Sequence, residues 1–321
     1  MAKPGYHRER TVAIPVSGTV RCICPRCHGA LFGARDELAC GSCHARYSLM
    51  HGIPILSLLD ADDPASDYKR RQIEFFDREA EEFEITRPAG QPRLYGWLMT
   101  EKFRRSVQGL ESRLPGASAL TVCGGSGMDA ELLARAGAIV TASDLSIGAA
   151  RRAVERGRRA GLPITAVVAD VERLPFADSS FDIVYVHDGL HHLSDPMLGL
   201  TEMCRVARVC VCVTEPAQAA VTAIAVRLGI AQEEEDAGNR VERLTAKQIR
   251  VCLSDHGLRV VGVDRYAMYY QHEPGRWMRF LSRRRTLPIG RGAVLAFNAA
   301  LGHVGNKLAV RGVRKTAEPP A

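Results

Sequence analysis

The chain has 321 residues and a formal net charge of +7, with 25% charged and 46% hydrophobic residues. This length predicts one large α/β domain and a small accessory module. No apolar run reaches about 18 residues and the polar, basic start lacks a secretion signal, so we expect a cytoplasmic protein without a membrane span. The modest positive charge is compatible with an anionic partner such as RNA but does not by itself indicate one.

Four cysteines near the start of the chain have the spacing of zinc ligands. Cys24 and Cys27 form one CxxC pair, and Cys40 and Cys43 form a second pair after twelve intervening residues. Two such turns can face each other and place four thiolates in a closed, tetrahedral structural zinc site. We expect Cys22, two residues earlier, outside this set. The remaining cysteines are predicted to be small core residues: Cys123, Cys204, Cys210, Cys212 and Cys252.

The sequence that follows the cysteine pairs resembles a known module. Tyr47 and the run Gly52-Ile53-Pro54-Ile55-Leu56 follow the second pair. With the two CxxC turns they resemble the small zinc-binding domain of the tRNA-methyltransferase activator family, which occurs alone or fused to a methyltransferase. A weaker resemblance is to the zinc-finger-bearing guanine methyltransferases of ribosomal RNA. We therefore predict a zinc-binding domain over residues 1–60.

Residues 61–114 are predicted to be a helical linker or cap. Acidic residues and a proline mark a linker over 60–67, and apolar residues at helical spacing predict one helix over 68–84 and another over 95–110. A helix placed just before a nucleoside-binding fold can lean over the ligand.

The stretch 119–144 carries the clearest ligand-binding pattern. An apolar strand leads into Gly124, Gly125 and Gly127, then into a helix and a second strand that ends on Asp144. Glycine lacks a Cβ, so the backbone can turn sharply and a ligand can lie against it. A carboxylate at this distance, at a strand end, can accept the hydroxyl protons of a ribose. The pattern predicts a nucleoside site, and by itself it allows either NAD or S-adenosylmethionine (SAM).

The next predicted helix, 147–160, is strongly basic. Ser146 can cap it, and its five arginines spread around most of its surface. We therefore predict a solvated helix rather than an RNA-binding track. The arginines are Arg151, Arg152, Arg156, Arg158 and Arg159.

The next two predicted strands end on polar residues and complete a set of ordered motifs. The third strand ends on Asp170, and the fourth runs from Phe181 to His187. The motifs are Leu174-Pro175-Phe176, Phe181-Asp182-Ile183-Val184, Leu190-His191-His192-Leu193 and Asp195-Pro196. Together they resemble the class I SAM-dependent methyltransferases of the small-molecule type, over residues 115–215. One departure is Cys123, where these families usually carry an acidic residue.

The resemblance implies a fold. We expect an α/β, Rossmann-like, seven-stranded sheet with an antiparallel terminal strand over residues 115–316, beside the small zinc-ribbon-like domain. The terminal pair is predicted over 258–265 and 307–314, and the insert between them, about 266–305, is a candidate acceptor-binding cap. A polar loop over 232–239 is a candidate lid, and residues 317–321 are predicted to be a disordered tail.

The resemblance also implies residue roles. The glycine turn would contact the methionine and ribose of SAM, Asp144 the ribose hydroxyls and Leu145 the adenine. Asp170 would accept from the adenine amino group, Val171 would donate its backbone N–H to the ring, and His187 would face the methionine. The implied cofactor-binding set is Cys123, Gly124, Gly125, Gly127, Asp144, Leu145, Asp170, Val171 and His187.

Methyl transfer is an in-line displacement that needs collinear positioning and, for some acceptors, a base. Histidine titrates near neutrality, so His187, His191 and His192 are candidate bases, with Asp188 as a competitor. The leading prediction is a methyltransferase that uses SAM and a small-molecule acceptor, methylating a nucleophilic O, N or C. Two alternatives stay open: an RNA methyltransferase that grips RNA through the zinc module, and a non-catalytic SAM-binding activator or scaffold. The oligomeric state is not predicted.

Overall fold

A computed structural model describes residues 15–17, 20–34, 36–59, 64–78, 81–217, 244–269 and 275–315. Its N-terminal module consists of short antiparallel strands. β1 (Pro15–Ser17) pairs with β2 (Val20–Arg21). A separate four-stranded sheet contains β3 (Leu31–Ala34), β4 (Glu37–Cys40), β5 (Arg46–Met50) and β6 (Ile53–Pro54). The first part of the predicted strand over 11–16 lies outside the described residues.

The main domain is built on a seven-stranded sheet. Its strands are β7 (Ser118–Val122), β8 (Ile139–Asp144), β9 (Ile164–Val168), β10 (Phe181–His187), β11 (Ala207–Pro216), β12 (Leu258–Tyr266) and β13 (Lys307–Arg314). The spatial order is β12-β13-β11-β10-β7-β8-β9, and β13 runs antiparallel to both of its neighbours. The predicted Rossmann-like sheet with an antiparallel terminal strand is confirmed.

Helices cover both faces of this sheet. They are α1 (Pro64–Asp77), α2 (Glu81–Thr86), α3 (Arg93–Ser106), α4 (Met128–Arg135), α5 (Ile147–Ala160), α6 (Pro196–Val206), α7 (Ala246–Asp255), α8 (Arg276–Leu281) and α9 (Leu287–Leu301). Within the described residues, each helix is too short or too polar to cross a membrane. The candidate lid over 232–239 and the predicted tail lie outside the described residues.

Two boundary predictions before the main sheet are wrong. The linker predicted over 60–67 becomes helical at Pro64, because proline, which has no N–H to satisfy, suits the first turn of a helix. The single helix predicted over 68–84 is two helices, since α1 ends at Asp77 and α2 begins at Glu81.

The N-terminal module extends the edge of the main sheet. Ile55 pairs in parallel with Val168 of the edge strand β9, and the Leu56 N–H donates to the Val168 carbonyl at 2.7 Å. The Ile23 N–H donates to the Pro175 carbonyl at 2.9 Å. One hydrophobic cluster runs from the module into the sheet, with Leu38 and Leu56 packed together with residues of β7, β9 and β10. The module therefore covers backbone groups that an open sheet edge would expose.

The basic helix α5 does not have the predicted solvated surface throughout. Arg152 and Arg156 are buried, at 3% and 2% exposure. Arg152 donates to the Phe76 carbonyl at 2.6 Å. Arg156 donates to the Ser126 carbonyl at 2.9 Å, to the Arg87 carbonyl at 2.7 Å and to the Glu84 carbonyl. The prediction is wrong for these two arginines, because helical spacing does not reveal that α1 and α2 fold back over α5.

Candidate active site

A cavity of about 470 Å³ opens at the carboxyl ends of β7, β8, β9 and β10. The strand order reverses between β7 and β10, and ligands of open α/β sheets bind at such a switch point. Side chains of α1 and α3 line the side of the cavity away from the sheet, among them Lys69, Phe76, Met99 and Lys102. The cavity is therefore formed by both the sheet and the helices that precede it.

The glycine turn and Asp144 face each other at this edge. The Gly125 N–H donates to Asp144 Oδ2 at 2.9 Å, and the Ser146 N–H donates to Oδ1 at 2.9 Å. A Cβ on Gly127, whose φ is +79°, would lie 2.7 Å from the Ala153 Cβ, whereas a Cβ on Gly125 would meet nothing within 4 Å. The turn therefore packs tightly against α5 on one side and leaves room on the other. Burial raises the pKa of the Asp144 carboxyl.

The other end of the cavity contains an ion-pair network that the sequence analysis missed. The Lys69 ammonium lies 2.6 Å from Asp170 Oδ2 and 2.6 Å from Glu172 Oε2. Although burial opposes it, these two carboxylates raise the pKa of Lys69. Asp170 also accepts from the Glu172 N–H at 3.0 Å. The network joins α1 to the loop that follows β9. Its only signal in the sequence is a lysine within an amphipathic helix.

His187 and Asp188 lie at the end of β10 in a buried polar cluster. His187 Nε2 lies 3.3 Å from Asp188 Oδ2, and the Lys307 ammonium lies 2.5 Å from the same oxygen. Burial, with the charge of Lys102, lowers the pKa of His187. Burial opposes ionisation of Asp188, but Lys307 and His187 hold the pKa of this carboxyl well below its usual range. Asp188 Oδ1 is buried and makes no hydrogen bond within the described chain.

His191 forms a buried pair with a glutamate that the sequence analysis did not select. His191 Nδ1 lies 2.7 Å from Glu215 Oε2, and the two residues are 3% and 1% exposed. Glu215, on β11, accepts from the backbone N–H groups of Gly189 at 2.9 Å and Leu190 at 2.8 Å. These bonds hold the carboxylate, which in turn fixes the imidazole. His191 and His192 both line the cavity, with ring centroids 4.3 Å apart.

The remaining predicted residues either line the cavity or lie in the core. Cys123 lines the cavity with φ of +49°, so it is not the core residue predicted for it. A Cβ on Gly189 would lie 2.4 Å from the Cys123 Cβ, which shows how closely the two strand ends approach. Leu145 and Val171 also line the cavity. Cys204, Cys210, Cys212 and Cys252 are buried, as predicted.

The four cysteines of the N-terminal module form one cluster. The Sγ atoms of Cys24 and Cys43 are 3.6 Å apart, those of Cys27 and Cys40 are 3.4 Å apart, and all four Sγ atoms lie within 4.8 Å of one another. Zinc–sulfur bonds of about 2.3 Å in a tetrahedron place sulfur atoms roughly 3.8 Å apart. The donor set therefore fits a structural zinc ion, and Cys22 is outside it, as expected.

Comparison with known sequences shows a methyltransferase domain. Residues 120–209 match the family described as "Methyltransferase domain". The demethylmenaquinone methyltransferase of Renibacterium salmoninarum is 37% identical over 109 residues, which cover 34% of this chain and 44% of that protein. The demethylmenaquinone methyltransferase of Corynebacterium urealyticum is 33% identical over 142 residues, or 43% and 56% of the two chains. The chain thus matches about half the length of these curated relatives.

Comparison with solved structures supports the same fold. Magnesium protoporphyrin IX methyltransferase from Synechocystis, solved with bound SAH, superposes with a TM-score of 0.52 at 16% identity. The superposition covers 78% of this chain and 100% of that one. The expected fold is confirmed, and residues 120–209 match the expected methyltransferase family.

Proposed function

We propose that this protein is a SAM-dependent methyltransferase with a small-molecule acceptor. The observation that carries the proposal is the position of Asp144, which is held against the glycine turn at the switch point of a methyltransferase domain. The ribose of SAM would lie beside this carboxylate and donate its hydroxyl protons to it. Leu145 and Val171 would enclose the adenine, with Asp170 at its amino group.

The methionine part of SAM would lie toward the cluster at the end of β10. Its ammonium would find an acceptor in Asp188 Oδ1, which has no hydrogen-bond partner in the described chain. Its carboxylate would lie near the buried ammonium of Lys102, which is 3.9 Å from Asp129. His187 would contact the methionine part of SAM as a neutral ring, without forming an ion pair, because its lowered pKa keeps it uncharged at pH 7.

We assign the base to His191. Nδ1 pairs with Glu215, so the acceptor's proton would pass to Nε2, the other ring nitrogen. As the acceptor attacks, the bond from sulfur to methyl breaks, the bond from acceptor to methyl forms, and SAM leaves as its neutral thioether. The acceptor's proton passes to His191, whose cationic form the buried carboxylate of Glu215 stabilises.

The acceptor class follows from the lining of the cavity and from the relatives. Met99, Met128 and Met268 give the cavity an apolar side. Both curated relatives are named for methylation of demethylmenaquinone. We therefore propose an apolar, quinol-like acceptor that has an ionisable hydroxyl.

Cys24, Cys27, Cys40 and Cys43 would hold a zinc ion. Four thiolates close its shell, so the ion would stabilise the module and leave no open position for Lewis-acid chemistry. The chemistry would then depend on the side chains of the cavity.

A transfer assay tests the activity. We expect label from SAM tritiated in its methyl group to appear in a naphthoquinol probe that gains one CH₂ in mass. If SAM binds but neither the probe nor any compound of a metabolite extract gains a methyl group, the non-catalytic alternative replaces this proposal.

Glu215→Gln tests the assignment of the base. We expect kcat to fall by about tenfold to a hundredfold while KM for SAM stays unchanged, because the pair lies outside the proposed cofactor contacts. Loss of the carboxylate should also move the acidic limb of the pH–rate profile to lower pH, since imidazolium loses its stabilising partner. An acidic limb at the same pH in Glu215→Gln and the wild type would show that Glu215 is only structural, and would contradict the assignment of His191 as the base. The exposed Glu37→Gln is the matched control.

A further inference from the structure

The helices α8 and α9 present an apolar surface to solvent. We define this cap surface by its exposed large side chains: Trp277, Phe280, Ile289, Leu295, Phe297 and Leu301. Trp277 is 79% exposed and Ile289 is 66% exposed, whereas most large apolar residues of the described ranges are not exposed. Contiguous exposed apolar surface on a soluble domain usually marks a binding site.

The exposed side of α9 has no polar residue at its centre. Ile289, Ala293, Phe297 and Ala300 follow one another at spacings of four, four and three along the helix, and all are exposed. The opposite side contains Gly290, the one residue of α9 that is fully buried, and Val294, which packs against the domain. An ordinary surface helix has charged residues on its outward face, whereas here the outward face is apolar.

A group of arginines borders this surface. Residues 275–306 contain six arginines and no aspartate or glutamate. Within the described part of the chain, none of the six pairs with a carboxylate, and all six are exposed. Arg283 lies 5.5 Å from the Phe280 ring and Arg291 lies 5.5 Å from the Trp97 ring, so both stack on aromatic groups. The full set is Arg276, Arg279, Arg283, Arg284, Arg285 and Arg291.

The cap surface adjoins the cavity. Met278 of α8 and Val294 of α9 pack against a hydrophobic cluster that includes Met99, Met128 and Met268. These three methionines also line the cavity. One layer of apolar side chains therefore separates the cap surface from the proposed acceptor site.

We propose that the cap surface docks on a lipid bilayer that contains anionic head groups. A helix with Trp, Phe and Leu on its outward side and arginines at its borders lies in the membrane interface, with its apolar side chains among the acyl chains. The arginine stems can extend toward the head groups while their charges meet lipid phosphates. No helix need cross the membrane for this binding.

A bilayer explains the surface better than a protein partner does. The apolar side chains project singly from a convex helix instead of lining a groove, and a fluid acyl layer does not require a shape-matched pocket. Six arginines that pair with no carboxylate among the described residues are complementary to an extended anionic plane. The same charges oppose pairing of two copies through this face, because like charges would meet.

The function of this docking rests on the proposed methyl transfer. A quinol-like acceptor partitions into membranes, so an enzyme docked through the cap surface could take it from the bilayer through the adjoining methionine layer. Membrane binding itself does not depend on that step, and it can be measured without turnover.

Sedimentation with vesicles tests the proposal. We expect the full chain to bind vesicles of phosphatidylcholine with phosphatidylglycerol, to bind pure phosphatidylcholine weakly, and to lose affinity as salt is raised. The double variant I289S/F297S should bind at least about tenfold more weakly. R283Q/R284Q/R285Q should also bind about tenfold more weakly, and only to the anionic vesicles. Trp277 emission should shift to shorter wavelength on binding, and W277F should abolish that shift.

Matched controls change the same number of exposed apolar residues or arginines elsewhere. L198S/V251S changes two exposed apolar residues on α6 and α7, and R151Q/R158Q/R159Q changes three exposed arginines on α5; both should bind as the wild type does. Absence of binding to anionic vesicles, or equal losses in the controls, would overturn the proposal. A wild-type dimer that I289S/F297S converts to monomer, without vesicle binding, would assign the surface to a second copy instead. Calorimetric titration of the same variants with SAM separates the two proposals. A variant that binds SAM as the wild type does but not vesicles has lost membrane docking alone.

Discussion

Three lysines lie beside carboxylates of the cavity, and each comes from a different element. Lys69 of α1 meets Asp170, Lys102 of α3 faces Asp129 at 3.9 Å, and Lys307 of β13 meets Asp188. Asp170 and Asp188 were predictable, because each follows the apolar run of a strand. Their partners Lys69 and Lys307 were not, since residues more than 100 positions apart have no local pattern that relates them.

At the residue scale, the lowered pKa of His187 predicts how the stability of the fold depends on pH. Burial lowers its pKa below the ordinary value of 6.5, so the unfolded chain binds this proton more readily than the folded chain does. The stability that the neutral ring contributes is therefore complete above about pH 6.5 and is lost as the pH falls below it. We expect the thermal midpoint to fall between pH 7 and pH 5, and His187→Gln to flatten that slope.

The control for this prediction is His303→Gln, which changes an exposed histidine. Its slope should match that of the wild type. A His187→Gln slope as steep as that of the wild type would show that other groups cause the pH dependence.

At the element scale, Arg156 clamps three segments together. It joins α5 to the glycine turn through Ser126, to the end of α2 through Glu84, and to Glu131 at 2.9 Å. Arg156→Met would leave these acceptors without their donor in a buried place. We expect a loss of about 3 kcal/mol in the free energy of unfolding, measured by urea denaturation.

Arg158→Met is the matched variant on the same helix. Its side chain is 72% exposed and pairs with Glu155 at the surface, so we expect a much smaller loss than for Arg156→Met. Equal losses of unfolding free energy in Arg156→Met and Arg158→Met would contradict the proposal that Arg156 joins these segments.

The contrast between Arg156 and Arg158 shows what sequence patterns can and cannot predict about a helix. Helix α5 and its cap Ser146 were predictable, because capping and apolar spacing are local properties. Which arginines become internal depends on α1 and α2, and these helices fold back from more than 60 residues away. The pairing of His191 with Glu215 was hidden for the same reason, since the two residues are 24 positions apart on different elements.

At the scale of the whole molecule, the zinc module and the main sheet share one hydrophobic cluster. We therefore expect chelation of zinc to lower the thermal midpoint of the entire chain, not to melt a separate small domain. Cys24→Ser should have the same effect and should reduce the bound zinc measured by mass spectrometry.

Cys22→Ser is the matched control, because Cys22 lies outside the four-cysteine cluster. It should retain one zinc ion per chain. Two independent thermal transitions in the wild type, with only the smaller one sensitive to chelator, would contradict a shared core.

The domain plan could be predicted from the sequence because each module has local signatures: paired cysteines in one, and glycine turns and strand ends in the other. How the modules join could not, since the contact between Ile55 and Val168 is a backbone pairing that places no constraint on side chains. The cap surface was predicted only as an acceptor-binding insert. Its outward apolar face becomes evident once α9 is seen to pack through Gly290 and Val294.

Calorimetric titration with SAM, SAH and NAD tests the central claim most directly. The account predicts that the wild-type chain binds SAM and SAH but not NAD. Asp144→Asn should weaken SAM binding by at least about tenfold, since the ribose loses a charged acceptor. The exposed Asp178→Asn should bind SAM as the wild type does. Preference for NAD, or SAM affinity that is the same in Asp144→Asn and the wild type, would contradict the claim.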